Sequence, residues 1–339
     1  MSGAGSRGIA LGLLSRMSRT PPVTALELRG TLIASILVVR QDDRIGNLLF
    51  ITPLLRGFKT LFPDAILDVV TSSRFRDVLA HNPCVTRVIP VDRRRYRRAP
   101  QEIAVGLRAL KLRRYDLIVD GKPGPSLSNT VVVMAARGGY RLGFDHEHTR
   151  GLYSLTVPRG GFEGKHEIER LYTLIDAVWG RPECPRMEFH FPEGRGPEPE
   201  KHGVTMHIGG HGRKRVPAPV LVDVIRAVRE SGRSLEILAG PEERSLVREL
   251  SGELPGLEAT FPDDIVALAE RIGASEAFIG PDTGALHIAA ALEVPAVNLF
   301  VADTSPTFGP WGTRHVVIDF HAADAVDRVM AFLGTTVRG

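Results

Sequence analysis

Ala277-Phe-Ile-Gly-Pro-Asp-Thr-Gly-Ala-Leu-His287 runs from a short apolar stretch through a glycine-bracketed turn into small apolar residues, and Ala296-Val-Asn-Leu-Phe300 follows. We read a strand over 277–279, a turn over 280–284, a short helix over 286–292 and a second strand over 296–300. Strand, turn, helix, strand is the grammar of a parallel sheet, because parallel neighbours need a crossover. The first backbone N–H groups of such a helix are unpaired and carry partial positive charge, which suits a phosphate. Gly284 lets a ligand approach the backbone, Thr283 offers a hydroxyl and Asp282 can accept hydrogen bonds from sugar hydroxyls. The alternative is an ordinary capped helix, with Asp282 or Thr283 as the N-cap and His287 merely packing. Spacing alone leaves the two even.

The same grammar extends upstream. Strands are expected over 204–208 and 235–238, with a glycine-rich loop and a helix over 219–231 between them. Residues 191–200, rich in Pro, Gly and charge, read as part of a linker. Before it, apolar runs at 34–39, 65–70, 85–91 and 117–120 read as strands, with helices over 48–62 and 168–179. The expectation is an α/β protein of two Rossmann-like, doubly wound parallel-sheet domains facing a cleft, one over 31–190 and one over 203–339, joined by a linker at 191–202. Residues 1–30 are expected to form a flexible arm, and a return of the last helix onto the first domain is left open. In open parallel sheets ligands sit at the carboxyl ends of strands, where each glycine-rich loop of this chain falls.

Composition bounds the rest. With 43% hydrophobic and 24% charged residues and a net charge of +4, the chain is an ordinary globular protein, and nothing calls for nucleic acid. A basic block from Arg87 to Arg114, including Arg94 and Arg95, is either a solvated loop or a contact for an acidic acceptor or an anionic membrane surface. Cys84 and Cys184 offer no disulfide framework and fit a reducing, cytoplasmic setting. No run of about 20 apolar residues is present, so no transmembrane helix is expected. Residues 9–14 weakly resemble a signal core but have basic flanks.

Three further loops could carry chemistry. Gly209-Gly-His-Gly-Arg-Lys214 follows a strand; its glycines expose backbone donors and Lys214 can place a charge on a diphosphate, although the end of a Walker A loop is missing. The alternative is a basic surface loop. Gly240-Pro-Glu-Glu243 places Glu242 or Glu243 where a ribose is commonly held, or where carboxylates merely favour a helix start. Arg40-Gln-Asp-Asp-Arg-Ile-Gly-Asn47 offers Asp42 and Asp43 as acceptor-side bases. There is no Asp-x-Asp and no zinc spacing, so neither metal nor cofactor is expected, and leaving-group charge falls to Lys214, backbone N–H groups and a helix dipole.

Taken in order, Ile36-Leu-Val-Val-Arg40, Ile45-Gly-Asn-Leu-Leu-Phe-Ile-Thr-Pro53, Phe62-Pro-Asp-Ala65, Tyr115-Asp-Leu-Ile-Val-Asp120, Arg141-Leu-Gly-Phe144, Lys214-Arg-Val-Pro217 and Gly280–Ala291 are familiar. The chain resembles glycosyltransferase family 9, the ADP-heptose:lipopolysaccharide heptosyltransferase family, over about residues 34–320. The resemblance implies a GT-B fold and an inverting, metal-free transfer. The donor it implies is a nucleotide sugar, ADP-heptose or a relative, and the acceptor a saccharide, lipid-linked or lipopolysaccharide-core hydroxyl. It puts Gly209, Gly210 and Lys214 beside the diphosphate, Glu242 or Glu243 near the ribose, and Asp282, Thr283, Gly284 and His287 around the phosphates and donor sugar. Arg44, Gly46, Arg94 and Arg95 are expected on the acceptor side, with a peripheral contact at the inner membrane surface.

One departure stands out. Asn47 occupies the position where the family pattern has its presumed aspartate base, and an amide cannot take a proton at neutral pH. The loop is one residue longer than the common pattern, which favours Asp43 as the replacement base. Three other functions stay open. One is a GT-B sugar-nucleotide epimerase using His207, His211 or His287; another is transfer to a small secondary metabolite; the third is a nucleotide-sugar-binding protein with impaired catalysis. An NAD-dependent oxidoreductase is disfavoured, since no Gly-x-Gly-x-x-Gly follows the first strand.

Overall fold

The computed structural model describes residues 21–91, 106, 108–147, 149, 151–180, 186–300 and 305–336. Arg94, Arg95, Cys184 and the apolar stretch 9–14 lie outside the described residues. The chain forms two compact units, one of Met1–Asp43 with Phe50–Pro185 and one of Arg44–Leu49 with Arg186–Gly339.

The first unit is built on six parallel strands: β1 (Ser35–Val39), β2 (Ile66–Thr71), β3 (Arg87–Pro90), β4 (Tyr115–Asp120), β5 (Gly138–Phe144) and β6 (Leu155–Val157). Their order is β3-β2-β1-β4-β5-β6. β1 is buried along its whole length, as a central strand covered on both faces must be. β5 escapes the sequence reading because Gly138, Gly139 and Gly143 weaken its strand pattern. Its glycines answer to close packing: a Cβ on Gly143 would lie 2.6 Å from the Tyr153 ring, and one on Gly138 3.0 Å from the Tyr115 carbonyl oxygen.

The helix expected over 48–62 is two helices, α2 (Ile45–Leu49) in the second unit and α3 (Thr52–Leu61) in the first. Pro53 explains the break, because its ring clashes with the carbonyl four residues earlier, that of Leu49, while its fixed φ suits a helix start. The arm expected over 1–30 is structured at its end. Thr24 and Glu27 form a capping box for α1 (Ala25–Arg29), Leu28 is fully buried, and the Arg29 Nε donates to the Val178 carbonyl at 2.5 Å. Val178 belongs to α6 (Glu167–Trp179), the long helix expected over 168–179.

The second unit repeats the plan with β7 (His202–His207), β8 (Leu235–Leu238), β9 (Ala259–Thr260), β10 (Ser275–Pro281), β11 (Ala296–Phe300) and β12 (His315–Asp319), ordered β12-β11-β10-β7-β8-β9. Counted within each unit, both sheets read 3-2-1-4-5-6, so each reverses strand order between its first and fourth strands. Val204, Met206, Ala277, Ile279, Val297 and Leu299 face a core closed by α7 (Ala218–Glu230), α8 (Arg244–Glu253) and α12 (Ala325–Thr336). The last helix, whose return to the first domain was left open, buries Ala325, Val329 and Leu333 in this core. The stretch read as a linker is fastened to α9 (Ile265–Gly273), with both Arg195 Nε and Nη2 donating to the Glu270 carboxylate at 2.9 and 2.5 Å. α10 (Gly284–Ala291) is buried at every residue from Ala285 to Ala291, as an apolar helix enclosed on all sides must be.

Candidate functional site

In doubly wound sheets the ligand crevice lies at the carboxyl ends of the two strands where the order reverses. In the second unit these are the neighbours β7 and β10. The loop after β7 carries Gly209, Gly210 and Lys214, and the turn after β10 carries Asp282 and Thr283. A Cβ on Gly210 would lie 2.6 Å from the Lys214 carbonyl oxygen and 3.2 Å from Arg215 Cα, so only glycine permits this fold-back. It brings Lys214, in a short 3-10 turn over Gly212–Lys214, across to the neighbouring strand end, where its Nζ donates to Asp282 Oδ2 at 2.6 Å.

Asp282 is 5% exposed, and His287 Nε2 lies 3.5 Å from its other oxygen, Oδ1. Burial on its own would raise the carboxyl pKa. The hydrogen bonds and charges of His287 and Lys214 outweigh burial and hold it below the ordinary value, so Asp282 is an anion at neutral pH. Thr283 occupies the N-cap position of α10 with no side-chain cap hydrogen bond, and its Oγ1 is buried without a partner. Asp282 is engaged by Lys214 and His287. The Thr283 side chain therefore does not satisfy the first N–H groups of the helix, groups that in general suit an anion.

The two glutamates separate. Glu243 is buried and its Oε2 accepts from the Gly240 N–H at 2.9 Å, a local helix-start role, while a Cβ on Gly209 would lie 3.1 Å from its carboxylate. Glu242 is exposed and lies 3.5 Å from the equally exposed His211. His207, at the end of β7, has a buried Nδ1 with no partner, and burial pulls its pKa down to about 4, so the ring is neutral at pH 7.

α2, which belongs to this unit, carries Gly46 and Asn47. Gly46 packs against the His287 ring; Asn47 is half-buried, and Arg44 just before the helix is exposed. Asp43 sits in a bend at the end of the first unit's segment, and Arg94 and Arg95 lie outside the described residues.

The first unit has its own buried network at the reversal of its sheet, between β1 and β4. Asn129 Nδ2 donates to Asp120 Oδ1 at 2.7 Å and to the Val39 carbonyl at 2.9 Å, and Asn129 Oδ1 accepts from the Gln41 N–H at 3.1 Å. Tyr153 OH donates to Asp120 Oδ2 at 2.8 Å. Arg40, 1% exposed, donates to the Gly121 carbonyl at 2.7 Å and lies 3.6 Å from Asp42 and 3.5 Å from Glu167. Burial raises the Asp120 carboxyl to about 6, against the lowering effect of its Asn129, Tyr153 and Lys122 hydrogen bonds and the Arg40 charge. The network fixes the backbone on both sides of Gln41 and so orients the loop that leads to Asp43. Sequence reasoning missed Asn129, Tyr153 and Glu167, which meet Asp120 and Arg40 only through the fold.

Among the described residues no three His, Cys, Asp or Glu side chains come together as a metal site requires. No helix among them is long and apolar enough to cross a membrane.

Two Rossmann-like sheets, with a lysine–carboxylate pair and an uncapped helix start at one strand-order reversal, are the parts of a GT-B glycosyltransferase. Residues 106–331 match the model of glycosyltransferase family 9 (heptosyltransferase), and the chain belongs to that family of enzymes. It is similar to lipopolysaccharide heptosyltransferase 1 of Escherichia coli O18:K1:H7, 24% identical over 83% of this chain and 90% of that protein. It is also similar to lipopolysaccharide heptosyltransferase 1 of Pseudomonas aeruginosa, 25% identical over 88% of each. Among solved structures, the E. coli heptosyltransferase WaaC with ADP shares the fold at a TM-score of 0.74 and 20% identity, covering 89% of this chain and all of that one.

Proposed function

We propose that this glycosyltransferase moves heptose from ADP-heptose to a hydroxyl of a lipopolysaccharide-core saccharide, with inversion and without a metal ion. The observation that carries this reading is the Lys214–Asp282 pair beside the uncapped start of α10. Lys214 and the α10 N–H groups would stabilise the diphosphate as it leaves, which is the charge a divalent ion would otherwise meet. Asp282, held as an anion, would accept hydrogen bonds from the donor sugar hydroxyls. The relatives named above include lipopolysaccharide heptosyltransferases, and a related solved structure holds ADP-2-deoxy-2-fluoro heptose. The acceptor hydroxyl would lose its proton to Asp43, since Asp42 is buried beside Arg40. The basic segment around Arg94 and Arg95 would meet acceptor phosphates or the inner membrane surface.

The test is a thermal-shift screen with ADP-, UDP-, GDP- and dTDP-sugars, followed by transfer assays with the donor that binds. ADP-heptose at about a hundredfold excess over its dissociation constant should stabilise the protein by roughly 3 kcal/mol. Stabilisation by another nucleotide and none by ADP-heptose contradicts the donor assignment. Epimerisation of the donor with no acceptor present contradicts the reaction. A specific observation, Asn47 in place of the aspartate of the family pattern, favours a second reading in which the protein binds the donor without transferring it; ADP-heptose binding with no transfer to any core acceptor is its signature.

A further inference from the structure

Two glycines face each other's neighbours across a helix pair inside the second unit, one on α2 and one on α10. A Cβ on Gly46 would strike the His287 imidazole, lying 2.9 Å from its Nε2 and 3.0 Å from its Cγ. A Cβ on Gly284 would lie 2.8 Å from Ile45 Cβ and 2.9 Å from Ile45 Cδ1. Each helix therefore presents bare backbone to a side chain of the other. Ile45 is β-branched and stiff at χ1, so that side of the crossing has little room to yield.

The Gly46 side bears on chemistry. His287 is 5% exposed and cannot swing out to solvent without opening the packing around it. The Nε2 that a side chain at position 46 would crowd is also the atom 3.5 Å from Asp282 Oδ1. Lys214 holds the other oxygen, Oδ2, from the loop after β7. Asp282 is thus oriented by two groups on separate elements, and one of them depends on the missing side chain of Gly46.

We propose that Gly46 is a positioning residue for the donor turn: its bare backbone seats the His287 ring, and the ring fixes the Asp282 oxygen that Lys214 does not hold. The glycine of the acceptor-side box then acts on the donor carboxylate through His287, and α2 and α10 move as one body. This rests on the reading of the Asp282 turn as the donor site; the steric coupling itself does not.

The experiment compares Gly46→Ala, His287→Ala and the double variant with the full-length wild-type chain, by unfolding midpoint, calorimetric ADP affinity and steady-state transfer. Gly46→Ala is expected to lower kcat roughly ten- to hundredfold, because small displacements of a positioning group cost that much. ADP affinity should stay within about threefold, since the nearest atoms to a Cβ at position 46 are those of the His287 ring, not Lys214 or the first N–H groups of α10 that would meet the diphosphate. In the His287→Ala background the same substitution should cost less than about threefold in kcat and leave the midpoint unchanged, because the ring it would strike is gone. Should Gly46→Ala fail to fold, the double variant should recover folding. Equal cost of Gly46→Ala in both backgrounds overturns the proposal, as does a Gly46→Ala protein with wild-type kcat, or a double variant that stays unfolded while His287→Ala folds. If the wild-type chain transfers no sugar, the functional reading fails, and the unfolding midpoints alone decide the coupling.

Discussion

At the scale of single residues, Asp42 and Asp43 show where linear sequence stops. Both are carboxylates in the same loop, and only the length of that loop, one residue more than the common family pattern, favours Asp43 over Asp42 as the base. What the sequence does not show is that Asp42 is buried beside Arg40, and that Arg40 also faces Glu167, 127 positions further along the chain. Asp43→Asn should therefore lower transfer by about a hundredfold to ten-thousandfold, the usual worth of a general base, with ADP affinity within about twofold. Asp42→Asn should act chiefly on stability through Arg40 and keep transfer within about tenfold. The reverse ranking in a kcat and ADP-affinity comparison would remove Asp43 from the mechanism. Lys214, Asp282 and His287 were legible as candidates, because Lys214 and Asp282 fall in glycine-rich loops after strands and His287 follows in the helix that the second loop opens. What was not legible is that Asp282 is held by both of the others and that Thr283 caps nothing. The glutamates were half legible: their place at the end of β8 was clear, but not that Glu243 is engaged by the Gly240 N–H.

At the scale of elements, the alternation of apolar runs and glycine turns was enough to find the central strands and the doubly wound plan. It failed where glycine does a strand's work, as in β5, and where one proline turns a continuous apolar pattern into α2 and α3. The loop after β7 gives the sharpest test of glycine as architecture. Gly210→Ala puts a methyl group against the backbone of Lys214 and Arg215, which cannot rotate away. It should cost roughly 1–3 kcal/mol, the usual range for overpacking, and weaken ADP binding about tenfold by displacing Lys214. Gly212→Ala meets open space but sits at φ +58°, so it should cost about 1 kcal/mol of backbone strain with little change in ADP affinity. Denaturant unfolding and calorimetry on the two variants separate the cases; equal loss of ADP binding in both would show that the fold-back at Gly210 is not what places Lys214.

At the scale of the whole molecule, the two units share one strand order, and each buries one group whose pKa shift contributes a pH dependence of opposite sense. Asp120 has its pKa raised to about 6 in the folded first unit, against about 4 in an unfolded chain. Between those values the folded unit keeps a proton that the unfolded chain has released, so the Asp120 contribution to the stability of the first unit falls as pH rises from about 4 to 6. His207 has its pKa lowered to about 4 in the folded second unit, against about 6.5 unfolded, so its contribution to the stability of the second unit rises as pH rises through that window. Each effect is worth roughly 2–3 kcal/mol. On acidification from pH 7 to 4.5, calorimetry should show the first unit's transition moving up relative to the second's, with Asp120→Asn and His207→Gln each removing one half of the change. Transitions that shift together in all three proteins would contradict these environments. The most direct test is transfer of heptose from ADP-heptose to a lipopolysaccharide-core acceptor, with a metal chelator present, followed by mass spectrometry for wild-type and Lys214→Ala proteins. We predict that the wild-type product gains one heptose in chelator and that Lys214→Ala slows the transfer by about a hundredfold or more, in the range seen when a group that stabilises developing charge is removed. A wild-type reaction that the chelator abolishes, or a Lys214→Ala protein that transfers at the wild-type rate, would contradict it.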